Sequence, residues 1–99
     1  MRISLERSGG FAGIRLTTTV DTDSLADDEA RTLQQLVESS DFFHLPATLM
    51  PQKSQPDRFQ YTLTVETDDK SHTVTAAETA LPAKARPLFE WLAQRARRA

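Results

Sequence analysis

The sequence of 99 residues contains no cysteine. That absence removes disulfide frameworks, thiolate metal sites and thiol nucleophiles together, and it accords with a reducing compartment. Glycine is nearly as scarce. Its three copies, Gly9, Gly10 and Gly13, all fall within one short stretch, "RSGGFAG". No apolar run reaches membrane-spanning length, and residues 1–6 lack the apolar core of a signal peptide. No membrane partner and a cytoplasmic location are therefore expected. Twelve basic residues stand against 14 acidic ones, a formal net charge of -2. Such a balance gives no general attraction for nucleic acid. Catalytic signatures are missing as well. The HExxH zinc pattern does not occur, and the glycines precede a strand, so they build no phosphate cradle at a helix start. The two histidines, His44 and His72, stand on different elements, and Ser71 and His72, as neighbours on a strand, face opposite sides. A non-enzymatic protein without cofactor is expected. The rival enzymatic reading is a small hydrolase or ligand-binding domain using His44 with Asp41.

What is present is a regular series of elements in one domain, residues 1–99. Ile3 and Leu5 alternate with Arg2, Ser4 and Glu6, a half-buried strand. Beyond the glycines, Ile14, Leu16, Thr18 and Val20 give a second strand, which must form a hairpin with the first. Ser24 to Asp27 reads as a variant capping box opening a helix, with Ala30, Leu33, Leu36 and Val37 as its apolar stripe. A long loop at 47–56 follows "FFHLP". Phe59, Tyr61, Leu63 and Val65 mark a third strand; His72, Val74 and Ala76 share one face of a fourth. A final helix is expected over 82–97, with Leu88, Trp91, Leu92 and Arg95 at its spacing.

The order is ββα-loop-ββα. It predicts an α+β fold: a four-stranded antiparallel sheet in the order 2-1-3-4 with both helices on one face. In that arrangement the first helix climbs from one end of the sheet to the other. The hairpin tip at 9–13 and the loop at 47–56 then share one end. That end carries Phe11, Leu49 and Met50 on loops, and a cluster of exposed apolar side chains there points to a partner site. For Leu49 and Met50 the favoured reading is that they fold back over the end of the sheet. Phe11, flanked by glycines, has little to pack against. Asp57 sits where the loop meets the third strand, with Asp41 and Glu78 as more distant acids. Taken alone, Asp57 reads as a local turn or a pair with Arg58.

Three pieces in order, "ERSGGFAG", "FFHLP" and "PDRFQYTLTVE", together resemble the emfourin family, small bacterial protein inhibitors of thermolysin-type, protealysin-like zinc metalloproteases. The resemblance covers nearly the whole chain. It implies a partner whose zinc, held by two histidines and a glutamate, keeps one position open for water or substrate. It also implies roles for the loop residues. Asp57 would ligate the protease zinc in trans, this chain having no metal of its own. Phe11 would fill an apolar specificity pocket. Gly10 and Ala12 would allow close approach, Leu49, Met50 and Pro56 would add contact, and Arg58 would steer toward acidic groups. A monomer forming a one-to-one complex is expected. The alternative from another class is a non-inhibitory module that binds a regulatory protein or peptide through the same loops.

Overall fold

The structure, a computed structural model, describes residues 1–9, 15–50 and 59–98. Two long helices and a mixed five-stranded sheet make an α+β fold. The strands are β1 (Arg2–Gly9), β2 (Leu16–Asp21), β3 (Thr48–Leu49), β4 (Phe59–Glu66) and β5 (Ser71–Ala77). The helices are α1 (Asp27–Ser39) and α2 (Arg86–Arg98).

The sheet order is β2-β1-β4-β5-β3. Its four long strands are antiparallel neighbours in the expected order. The expectation of a four-stranded, wholly antiparallel sheet is corrected by β3. Thr48 and Leu49 pair parallel to β5, opposite Thr75 and Ala76. Two residues carry no readable alternation, and Pro46 just ahead marked the segment as loop.

Alternation decides which face is buried. Ile3, Leu5 and Arg7 of β1, Tyr61, Leu63 and Val65 of β4, and Val74 and Ala76 of β5 all turn inward. They meet Leu33 and Val37 of α1 and Leu88, Phe89 and Leu92 of α2 in one core. Both helices thus cover a single face. The opposite face is a hydroxyl array, with Ser4 to Thr19 at 3.4 Å and Thr64 to Thr73 at 2.9 Å.

Three local expectations change. Ala26, not Ser24, stands at the N-cap of α1; Thr22–Ser24 instead forms a 3-10 turn whose Asp23 amide donates to the Asp21 carboxylate. Acidic residues still fill the first turn of α1, where the helix dipole favours them. The last helix starts at Arg86, after a 3-10 turn at Glu78–Ala80. Its inward stripe is Leu88, Phe89, Leu92, Ala93 and Ala96, with Trp91 only partly buried.

The third change concerns direction. α1 does not climb the sheet. Val37 and Glu38 near its end line a groove with Met1, Thr67 and Lys70, so it finishes at the end of the sheet where it began. The climb is made afterwards by 45–49, alongside β5. His44, which follows α1, therefore stays beside the same groove.

Candidate functional site

The register of β1 and β4 sets the geometry of the end opposite that groove. Gly9, the last residue of β1, faces Phe59, the first of β4. Ala77, the last of β5, faces Gln60. Leu49 faces Ala76. Four chain ends thus reach the same rim of the sheet. Between Gly9 and Leu49 lie three strand spacings, roughly 14 Å at ordinary β-sheet separation.

Arg7 reinforces this rim from inside. It follows Ile3 and Leu5 on the inward face and is 8% exposed, low for a charged residue. Its guanidinium lies 4.3 Å from the centre of the Phe59 ring, within cation–π range. The alternation of Ile3, Leu5 and Arg7 was a readable signal for an inward arginine, and sequence reasoning passed over it.

Of the eight anticipated contact residues, six lie outside the described residues: Gly10, Phe11, Ala12, Pro56, Asp57 and Arg58. The other two separate. Leu49 is partly buried and packs against the core. Met50 is 47% exposed, a large apolar side chain left in solvent at the rim.

The rival acids part company too. Glu78 opens the 3-10 turn just beyond β5, at the Met50 rim. Asp41 lies at the other end. Its backbone is left-handed, at φ 54, a conformation aspartate tolerates better than most residues. Its carboxylate meets His44 Nδ1 at 2.6 Å and Lys84 Nζ at 3.6 Å. The His44 hydrogen bond foremost, then the charges of His44 and Lys84, hold the Asp41 carboxyl below its ordinary range. This cluster borders a groove of about 410 Å³ that also touches Phe42, Phe43 and Lys70. The Lys70 ammonium sits 4.5 Å from the centre of the Phe43 ring.

The structure therefore does join His44 to Asp41, as the hydrolase reading required. It does not complete a catalytic set. The pair is open to water, with side chains 82% and 50% exposed, and neither serine nor cysteine lines the groove. The second histidine is committed elsewhere. His72 Nε2 is 2.8 Å from the Leu45 carbonyl oxygen, and its ring meets Phe42 edge-on at 5.5 Å. Among the described residues no group of three or more His, Asp or Glu side chains could hold a metal ion. Nor is any described helix long and apolar enough to cross a membrane.

No curated protein matches the chain. Among solved structures it is similar to emfourin (M4in) from Serratia proteamaculans, an M4 family peptidase inhibitor, at 18% identity and a TM-score of 0.48, covering 89% of this chain and 84% of that one. The family model Emfourin matches residues 5–93, from β1 into α2. With nearly its whole length inside that match, the chain belongs to the Emfourin family.

Proposed function

We propose that this chain inhibits a thermolysin-type zinc metalloprotease by occupying its active-site cleft with the rim that carries Met50. The observation that carries the reading is the Emfourin match over residues 5–93. The register supports the choice of rim. The segment 10–14 leaves β1 at Gly9 and the segment 51–58 enters β4 at Phe59, and those two residues are partners across the ladder. Gly9 and Phe59, each two positions along the chain from Phe11 and Asp57, are thus adjacent points of one sheet edge.

In this reading the Asp57 carboxylate coordinates the protease zinc and displaces the water that would attack the scissile bond. Carboxylate oxygens are ordinary zinc ligands, and the charge of Asp57 strengthens the bond. Phe11 fills an apolar pocket beside the metal, and Met50 adds apolar contact at the margin. Gly10 and Ala12 keep the hairpin tip slim, Pro56 stiffens the approach to the ligand, and Arg58 draws the complex toward acidic groups. Two separated anchors present no single extended peptide across the catalytic water, so the inhibitor escapes cleavage. One chain serves one protease, and the encounter takes place in the cytoplasm, before the protease is exported.

The test is a titration of peptide hydrolysis by a thermolysin-type protease. The parent chain abolishes activity near equimolar ratio. Asp57→Ala and Phe11→Ala, each shown to be folded by circular dichroism, inhibit at least roughly a hundredfold more weakly, the loss expected for central anchors of an interface. Full inhibition by both variants would overturn the assignment of the site. No inhibition by the parent would overturn the function and leave the peptide-binding module.

A further inference from the structure

The two edges of the sheet differ. On one side β3 is two residues long and preceded by Pro46, a short, blunted edge of the kind that resists pairing. On the other side β2 offers six residues, Leu-Thr-Thr-Thr-Val-Asp, without proline or lysine. The Thr22 amide donates to the Met1 carbonyl at 2.9 Å, which fixes the phase of the β1–β2 ladder. Bonding alternates along an antiparallel pair. Val20, Thr18 and Leu16 therefore direct their backbone groups toward β1. Thr17, Thr19 and Asp21 direct theirs outward, where no strand stands among the described residues.

We infer that this edge pairs with the β2 edge of a second copy of the chain, antiparallel and across a twofold axis at Thr18. One register satisfies every position. Thr17 falls opposite Thr19 of the other copy, so outward amides and carbonyls meet as hydrogen-bonded pairs and two hydroxyls meet on the polar face. Leu16 falls opposite Val20 on the helix-covered face. Arg15, whose Nε lies 3.4 Å from the Glu6 carboxylate of its own chain, falls opposite Asp21, whose Oδ1 accepts from the Asp23 amide, so opposite charges meet at both ends of the paired segment. A slip of one residue sets the core face against the polar face. A slip of two leaves Arg15 or Asp21 opposite a threonine. The sheet then runs unbroken through both copies. Because the paired strands are antiparallel, the two Met50 rims face opposite ways, and each stays free to engage its own target. The bonding phase on which the pairing rests comes from the Thr22 to Met1 hydrogen bond.

Sedimentation equilibrium over a concentration series tests the pairing. The mass should rise with concentration toward twice the 11.1 kDa of one chain. Thr17→Lys combined with Thr19→Lys sets like charges opposite each other and should weaken association at least roughly tenfold. Arg15→Glu should weaken it as well, and adding Asp21→Arg should restore it, because the swapped charges again meet their opposites. At the axis, Thr18 meets its own copy as a non-hydrogen-bonded pair, with Cα atoms about 4.5 Å apart and within disulfide reach. In a chain without cysteine, Thr18→Cys should therefore cross-link on mild oxidation, and the two lysines should abolish the cross-link. A monomer at every concentration overturns the inference. So does a dimer indifferent to the lysines and to the charge swap. Inhibition per chain is measured separately and should not change in the edge variants, so each proposal can fail without the other.

Discussion

The guanidinium of Arg7 lies 4.3 Å from the centre of the Phe59 ring, across the β1–β4 ladder. Arg7 comes two residues before the end of β1 and Phe59 opens β4, so the contact clamps two strand ends that face each other at this rim. A charge buried to this degree needs compensation, and a ring face supplies part of it.

Arg7 should accordingly matter to stability. Arg7→Ala removes both the packed stem and the cation–π contact and should cost about 2 kcal/mol. Arg7→Met keeps an apolar stem of similar reach and should cost about 1 kcal/mol. Urea denaturation of the two variants separates the contributions. Equal losses would mean that the stem contributes nothing and the charge everything.

The Asp41 cluster predicts a pH effect. Its carboxyl is held below the ordinary range by the His44 hydrogen bond first, then by the charges of His44 and Lys84. A depressed folded-state pKa gives stability that is present above the unfolded pKa and lost as pH falls through the folded one. Asp41→Asn should therefore flatten the acid limb of the stability curve, below the ordinary carboxylate range. Asparagine also tolerates the left-handed backbone at this position, so the substitution isolates the charge. Thermal unfolding followed from neutral pH into acid gives the comparison. Parallel curves for parent and variant would remove Asp41 from the acid response.

Much of this fold is written in period two. Ile3 and Leu5, Tyr61, Leu63 and Val65, and Val74 and Ala76 announce their strands because one sheet face is dry and the other wet. Sheet order followed from requiring antiparallel neighbours. The parallel strand Thr48–Leu49 was not legible, since its partner is chosen by tertiary position and not by local pattern. The path of α1 was misread for a related reason. An apolar stripe at Leu33, Leu36 and Val37 says which face is buried, but nothing about the axis on which the helix crosses the sheet. That the chain ends at Gly9, Phe59 and Leu49 share one end of the sheet was legible, and the inward Arg7 beside them was overlooked. The distinction between Leu49 and Met50 needed the register of β3.

Phe42 gives a prediction that separates stability from function. It is 1% exposed, with Phe43 edge-on at 5.8 Å and His72 at 5.5 Å. Truncating a buried ring usually costs about 3–5 kcal/mol, through lost transfer energy and the cavity left behind. Phe42→Ala should fall in that range by chemical denaturation. Phe42 lies by the groove at the end of the sheet remote from Met50. The fraction that remains folded should therefore inhibit as the parent does. A variant that stays stable would contradict the packing; one that is fully folded but inactive would contradict the placement of the inhibitory rim.

Leu49 and Met50 are adjacent in sequence and opposed in role. Leu49 sits in β3 against Ala76 and packs on the core, whereas Met50 points an exposed apolar chain into water. Leu49→Ala should destabilise by about 2 kcal/mol, the lower end for a leucine truncation because the site is only partly buried. Met50→Ala should change stability by no more than about 0.5 kcal/mol, as expected of an exposed surface position. In the inhibition assay the ranking should reverse. Met50→Ala removes apolar surface that would be buried only in the complex, and should weaken inhibition roughly tenfold at about 25 cal/mol per Å² of contact. Leu49→Ala, where folded, should inhibit nearly as the parent does. Denaturation and inhibition measured on the same two proteins give four numbers. A Met50→Ala variant that is unimpaired in both assays would show that this rim does not touch the protease.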